Sequence, residues 1–173
     1  MNDLFLIGFM GSGKTSVSKR LGELLNREVV EMDRRIAQRE GMGIPEIFAQ
    51  KGEAYFRACE TVLLEEFAQG GPRVVSCGGG VPMREENVAA MGRCGRVVLL
   101  TARPEVILDR VKDSDERPLL QGHKNVPYIA QLMEERRPKY EAAADLTVDT
   151  SDLSVEEVCR EILRQTGIHG QKL

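Results

Sequence analysis

The segment from Gly8 to Thr15 limits most strongly what this chain can fold into. It reads Gly-Phe-Met-Gly-Ser-Gly-Lys-Thr and fits the pattern G-x-x-x-x-G-K-[S/T]. An apolar run typical of a buried strand, Leu4 to Ile7, precedes it, and apolar residues at helical spacing follow it from Val17 to Leu25. Glycines let several backbone N–H groups face one anion, and a helix N-terminus adds positive charge. A strand, loop and helix in this order predict a site for the phosphates of a nucleoside triphosphate.

Individual residues of this loop have predicted roles. The backbone of Gly11, Ser12 and Gly13 faces the phosphates, Lys14 reaches the β and γ phosphates, and the Thr15 hydroxyl ligates Mg²⁺. A chance match in a glycine-rich turn is the alternative, and the flanking strand and helix argue against it. The loop alone does not name a reaction, because kinases, motors and switches all use it.

Short apolar runs alternate with helical patterns along the whole chain. Helices are predicted between the runs, including two short ones separated at Gly41 and Gly43, and one that opens at Ile129 and should end before Pro138. Strands after the first are predicted at Val29–Val30, Val74–Val75, Val97–Leu100 and Leu146–Val148, and a capping box at Ser154 and Glu157 opens a final helix. This alternation predicts an α/β fold with a parallel sheet covered on both faces. No boundary divides residues 1–173, so we expect one domain.

Composition narrows the possible partners. The formal net charge of −3 gives no reason to expect nucleic acid, and no apolar run approaches the ~20 residues of a membrane span. The four cysteines form no C-x-x-C pair, so we interpret them as reduced, largely apolar residues. With no basic leader before the first strand, we expect a cytosolic protein, and with no apolar stripe left over, a monomer.

The second strand ends in Glu31-Met32-Asp33 and so carries two carboxylates. In a parallel sheet, ligands bind at the carboxyl ends of the strands, which places Glu31 and Asp33 near the phosphate loop. Because side chains alternate along a strand, Glu31 and Asp33 share a face. One can then hold Mg²⁺ through water, while the other orients an acceptor hydroxyl or takes its proton. The alternative is that Asp33 merely caps the next helix.

An arginine lies where a helix should be apolar. Counting about 100° per residue from Ile129 places Arg136 in the middle of the apolar face and Arg137 towards its edge. An inward guanidinium keeps its charge and needs an anionic partner. That partner is either a buried Asp or Glu or a carboxylate on the substrate, and the helical count does not separate the two.

Three further features belong to the same predicted cleft or border it. Arg57 lies beside the apolar stripe of its helix, and its alternative interpretation is a solvated arginine. The triplet Gly78–Gly80 follows the third strand and permits close approach of backbone to ligand, or forms a tight turn. Residues 112–124 are charged and lack a period, as in a lid loop, and Arg117 within them can stabilise transition-state charge.

Together these motifs resemble the shikimate kinase family along nearly the whole chain. The motifs that carry the resemblance are Gly8–Thr15, Glu31-Met32-Asp33, Phe56-Arg57, Gly78–Gly80, Arg117-Pro118-Leu119-Leu120, and Arg136 ahead of Pro138 and Tyr140. The resemblance implies a three-layer α/β/α P-loop kinase fold, similar to nucleoside monophosphate kinases, with a five-stranded parallel sheet and a mobile lid at about residues 112–124. It also implies transfer of the γ-phosphate of ATP to the 3-hydroxyl of shikimate, on the route to chorismate and aromatic amino acids.

The resemblance also implies roles for single residues. Asp33 binds the hydroxyls of shikimate and helps deprotonate the acceptor, and Gly79 contacts it through backbone. Arg57 and Arg136 bind its carboxylate, Arg117 faces ATP from the lid, and Arg110 lies beside the adenine. Besides shikimate, ATP is the implied co-substrate and Mg²⁺ the implied metal.

This chain departs from the family pattern in two places. The family usually has Asp-x-Asp after the second strand, whereas Glu31 comes first here, so its contact with the metal is expected to pass through water. The family's adenine loop often carries an arginine and a proline, and residues 149–153 have neither. Two other functions stay open on the residues alone. One is a kinase of the same fold for another acid such as gluconate, and the other is a non-catalytic nucleotide-binding switch.

Overall fold

A computed structural model describes residues 3–112 and 125–168. Five strands form one sheet, with the order β2-β3-β1-β4-β5 and every pairing parallel. The strands are β1 (Asp3–Ile7), β2 (Glu28–Glu31), β3 (Arg73–Ser76), β4 (Gly95–Thr101) and β5 (Leu146–Asp149). The predicted lid, with Arg117, lies outside the described residues except for Lys112.

Helices connect the strands. Those described are α1 (Lys14–Leu25), α2 (Met32–Glu40), α3 (Ile44–Lys51), α4 (Glu53–Glu66), α5 (Glu85–Cys94), α6 (Pro104–Val111), α7 (Val126–Ala143) and α8 (Val155–Thr166), with a 3₁₀ turn at Val81–Met83. The separation of α2 from α3 near Gly41 and Gly43 confirms that prediction. The capping box of α8 is also confirmed, since the Glu157 N–H donates to Ser154 Oγ and the Ser154 N–H donates to Glu157 Oε2.

The two faces of the sheet carry separate apolar clusters, which confirms the three-layer prediction. Alternate residues of β1 divide between them: Leu4 and Leu6 pack with α1 and α8, whereas Phe5 and Ile7 pack with the cluster on the opposite face. Every residue of β1 is buried, as expected for the central strand of a sheet covered on both sides. Within the described residues, no helix is long and apolar enough to cross a membrane.

The prediction that the helix opened by Ile129 ends before Pro138 was wrong. Helix α7 continues through this proline to Ala143. Proline removes the hydrogen bond to the carbonyl four residues earlier, but Pro138 is exposed, so water can satisfy that carbonyl. The following turn buries Tyr140 and Ala143 against the rest of the protein. Packing of that turn therefore outweighs the local cost of the proline.

Candidate active site

The phosphate loop crosses from β1, the central strand, to α1. Gly8 has φ of 145° and Gly13 has φ of 105°, conformations that residues with a side chain rarely adopt. At Gly8 a Cβ atom would also lie 2.3 Å from the Leu100 carbonyl oxygen, so β4 leaves no room for one. These two positions explain why the loop needs glycine there.

Lys14 lies at the first turn of α1 and folds back over the loop. Its Nζ donates to the carbonyl oxygens of Gly8 at 2.7 Å and Phe9 at 3.0 Å. The ammonium group is therefore held against the carbonyl oxygens at the start of the loop.

A second segment supports the loop from the end of β5. Thr150 is buried, and its Oγ1 donates to the Ser12 carbonyl oxygen at 2.8 Å. Arg110 donates to the carbonyl oxygens of Gly11 and Thr150, both at 3.0 Å. These residues line a cleft of about 350 Å³, the phosphate-loop cleft, together with Gly13 and Ser16.

The far wall of the phosphate-loop cleft is apolar. Leu153 and Val155 line it, and each keeps 40% of its surface exposed although it is a large hydrophobic residue. Sequence reasoning assigned no contact to residues 149–153. Only the fold shows that Thr150 and Leu153 border this cleft, because they follow the last strand at the same edge of the sheet as the phosphate loop.

Glu31 and Asp33 both lie at the carboxyl edge of the sheet, but the reasoning that put them on one face was wrong. The strand ends at Glu31, and Met32 begins α2, so Asp33 lies in the first turn of a helix. The N-cap residue of α2 is Glu31 and not Asp33, and the Glu31 side chain accepts no capping hydrogen bond.

Glu31 meets the phosphate loop directly. The Thr15 hydroxyl donates to Glu31 Oε2 at 3.1 Å, and Glu31 Oε1 is buried with no hydrogen-bond partner among the described residues. A hydroxyl and a carboxylate with an unused oxygen are the donors that Mg²⁺ takes in phosphate sites. The residues present therefore fit this metal.

The carboxylates of Asp33 and Glu60 both lie close to Gly78. A Cβ atom added at Gly78 would lie 2.8 Å from Asp33 Oδ1 and 2.8 Å from Glu60 Oε1. Only a glycine leaves both oxygens this space. Glu60 is fully buried in α4, and burial raises the pKa of its carboxyl to about 7, against the opposing effect of the Arg57 charge.

Arg57 is anchored rather than solvated. It donates to Glu60 Oε2 at 2.9 Å and to Glu53 Oε1 at 3.2 Å, and its guanidinium lies 5.4 Å from the ring centroid of Phe56. Burial lowers the pKa of Arg57, but the charges and hydrogen bonds of Glu60 and Glu53 together raise it above its ordinary value. Its guanidinium contacts Gly80, where a Cβ atom would lie 2.3 Å from Nη1.

Arg136 lies on the inner side of α7 and is half-buried, whereas Arg137 is exposed. Its guanidinium lies 5.9 Å from the ring centroid of Phe9, and Nη1 would be 3.6 Å from a Cβ atom on Gly79. No carboxylate of the described residues lies within ion-pairing distance of it, while Arg137 pairs with Glu134. The sequence left two partners open for Arg136, a buried Asp or Glu and a carboxylate of the substrate. In the described part of the chain, no Asp or Glu fills this role.

The two predicted arginines line one cleft, the arginine cleft, of about 380 Å³. Its other lining residues include Ala54, Gly80, Met83 and Arg84. Arg84 was missed by sequence reasoning and had no distinguishing signal. Glu60 was also missed, but the helical count that found Arg136 would have placed it about 40° from Phe56, inside the apolar stripe of its helix.

Comparisons with known proteins point to one family. The family model described as Shikimate kinase matches residues 10–166. A shikimate kinase of Dehalococcoides mccartyi is 42% identical over 161 residues, which is 93% of this chain and 91% of that protein. A solved shikimate kinase from Acinetobacter baumannii, in complex with shikimate, has a TM-score of 0.89 at 34% identity and covers 96% of this chain and 93% of its own.

A gluconokinase from Sinorhizobium meliloti, with a TM-score of 0.63 and 20% identity over 96% of this chain and 91% of its own, shares the fold alone. The family match therefore separates the two kinases that the sequence motifs left open. Because the family model and relatives at about 40% identity span most of its length, the chain belongs to the shikimate kinase family.

Proposed function

We propose that the arginine cleft binds the carboxylate of shikimate and that Asp33 activates its 3-hydroxyl for attack on the γ-phosphate of ATP. Membership of the shikimate kinase family supplies the reaction and both substrates. The observation that carries the assignment of residues is the shared cleft of Arg57 and Arg136. Two guanidinium groups facing one cavity suit a carboxylate, which each can bind through two parallel hydrogen bonds.

The acceptor lies between this cleft and the phosphate loop. Asp33 converges on Gly78, and the next glycines, Gly79 and Gly80, contact Arg136 and Arg57. A shikimate anchored by its carboxylate at the arginines would direct its hydroxyls towards Asp33. The Asp33 carboxylate then takes the hydroxyl proton as the oxygen bonds to the γ-phosphorus and the bond to the β-phosphate oxygen breaks.

The phosphate loop acts on the donor. Lys14 and the N–H groups of Gly11, Ser12 and Gly13 stabilise the charge on the β and γ phosphates, and Arg117, which lies outside the described residues, adds to this stabilisation. Thr15 and Glu31 would hold Mg²⁺, with Glu31 acting through water. When bound, the metal ion supplies further neutralisation of phosphate charge.

Arg110, fixed beside Thr150, offers the flat surface of its guanidinium to the adenine.

The proposal for Asp33 is tested by Asp33→Asn, which keeps the shape of the side chain and removes its basicity. We expect kcat to fall about 10²- to 10⁴-fold and the KM for shikimate to change little. Asp109→Asn is the matched control, because Asp109 is an exposed aspartate that pairs with Lys112. A wild-type kcat in Asp33→Asn would remove Asp33 from the catalytic role.

We further propose that the enzyme works as a cytosolic monomer. The exposed large hydrophobic residues among those described are Tyr55, Val62, Leu153 and Val155, and the last two line the phosphate-loop cleft. This small number of exposed large hydrophobic residues in the described part of the chain supports a monomer, because obligate subunit interfaces are more hydrophobic. Sedimentation at micromolar concentration should give a mass near 19.3 kDa, and a mass twice that would contradict the proposal.

A further inference from the structure

Tyr140 joins α7 to the glycine segment of the acceptor site. Its ring is buried, with 4% of the residue exposed, and its hydroxyl donates to the Gly79 carbonyl oxygen at 2.7 Å. The preceding residue makes a second link, because Lys139 Nζ donates to the Met83 carbonyl oxygen at 3.2 Å. Two consecutive residues of one helix thus hold both ends of the segment between Gly79 and Met83.

Tyr140 also lies against the arginine on its own helix. Arg136 precedes it by one helical turn, and both side chains flank Gly79. A Cβ atom there would lie 3.6 Å from Arg136 Nη1 and 3.7 Å from the Tyr140 hydroxyl. Burial raises the pKa of the Tyr140 phenol, and the positive charge of the neighbouring Arg136 opposes that rise. A phenol both donates and accepts, so one hydroxyl can serve Gly79 and Arg136 together.

The bond to Gly79 also orients the next peptide N–H. A peptide group is planar and trans, so the Gly79 carbonyl and the Gly80 N–H point in opposite directions. Holding the carbonyl towards Tyr140 turns the Gly80 N–H away from α7. Among the described residues, none accepts a hydrogen bond from the N–H of Gly79 or Gly80, and Gly80 lines the arginine cleft.

We propose that Tyr140 is a positioning residue of the acceptor site: its hydroxyl fixes the Gly79–Gly80 peptide and the Arg136 guanidinium in the arrangement that binds the acceptor carboxylate. The inference rests on the proposed carboxylate site at Arg136. It gives Tyr140 no contact with the reacting atoms. Its effect should therefore appear in binding of the acceptor and not in the chemical step.

Tyr140→Phe tests this, since it keeps the buried ring and removes only the hydroxyl. We expect the KM for shikimate to rise roughly 5- to 10-fold, the worth of one hydrogen bond, with kcat and the KM for ATP changed less than about 2-fold. Tyr55→Phe is the matched control, because the Tyr55 hydroxyl also bonds a partner, Glu40 at 3.0 Å, but Tyr55 is exposed and does not line the arginine cleft. We expect no change in any constant there.

A purely structural role would lower the melting temperature of Tyr140→Phe and leave the KM for shikimate unchanged, and that result would overturn the inference. Arg136→Ala separates it from the proposed site. If Arg136→Ala raises the KM and Tyr140→Phe does not, only the inference fails. If Arg136→Ala leaves the KM unchanged, both fail. In the Arg136→Ala background, Tyr140→Phe should have a smaller effect than in the wild type, because the guanidinium that Tyr140 is proposed to position is already gone.

Discussion

The Thr15 hydroxyl donates to Glu31 Oε2 over 3.1 Å and thereby joins the start of α1 to the end of β2. The second carboxylate oxygen of Glu31 is buried and has no partner among the described residues. This pair is our candidate for holding Mg²⁺, and Glu31 stands where the family usually has aspartate.

Glu31→Gln should therefore weaken the metal site. Outer ligands of metal sites typically contribute 10- to 100-fold in affinity, so we expect the Mg²⁺ concentration for half-maximal activity to rise about 10-fold. Glu28→Gln is the control, because Glu28 begins the same strand and pairs with Arg35 on the surface. The same Mg²⁺ dependence in both variants would contradict the role of Glu31.

Arg136→Ala should mainly weaken binding of the acceptor. Removing one partner of a desolvated charge pair costs about 2–4 kcal/mol, or roughly 30- to 700-fold in the KM for shikimate. The neighbouring Arg137→Ala is the matched control, since Arg137 is exposed and pairs with Glu134. Steady-state kinetics that show an unchanged KM in Arg136→Ala, or equal changes in both variants, would remove Arg136 from the site.

Gly80→Ala should displace the other arginine of the cleft. The added Cβ atom would lie 2.3 Å from Arg57 Nη1, so the guanidinium must move, while φ of −90° at Gly80 leaves the backbone unstrained. We expect the KM for shikimate to rise about 10-fold or more, since small displacements of positioning groups are costly. Gly92→Ala, at a helical position with nothing within 4 Å, should leave the KM unchanged. A wild-type KM in Gly80→Ala would contradict the contact.

Glu60 should make stability depend on pH. Its pKa rises from 4.5 to about 7 on folding, chiefly through burial. Between these values the folded protein binds the proton more tightly than the unfolded chain, so stability is lost as the pH rises from about 4.5 to 7 and does not return above it. The shift corresponds to on the order of 3 kcal/mol.

Glu60→Gln removes this loss, so its melting temperature relative to wild type should be several degrees higher at pH 8 than at pH 5. Glu53→Gln provides the comparison, because Glu53 pairs with the same Arg57 but is exposed. Melting curves of Glu60→Gln that run parallel to the wild type across this range would show that Glu60 ionises as an ordinary carboxyl.

Much of the fold could be predicted because a parallel sheet buried on both faces needs continuous apolar runs. Leu4–Ile7 and Val97–Leu100 are such runs, and both are strands in the structure. The end of α7 could not be predicted in this way. Pro138 is a local signal to stop, whereas the burial of Tyr140 depends on the distant glycine segment that it contacts.

The residues of the site also differ in whether a local sequence signal could predict them. Arg136 was found because a helical count exposes a charge on an apolar face, and the same count would have found Glu60. The strand alternation assigned to Asp33 failed because the chain turns into a helix at Met32. Tyr140 and Thr150 carry no such signal, since their hydroxyls act on backbone carbonyls that only the tertiary structure brings near.

The central claim is that the arginine cleft and Asp33 select shikimate as the acceptor. The most direct test measures the formation of ADP in the presence of ATP and Mg²⁺. The acceptor in each sample is shikimate, gluconate, a nucleoside monophosphate or none. We predict turnover stimulated by shikimate alone, with the others at the level of the sample without acceptor. Equal turnover with and without shikimate, or a greater response to gluconate, would contradict it.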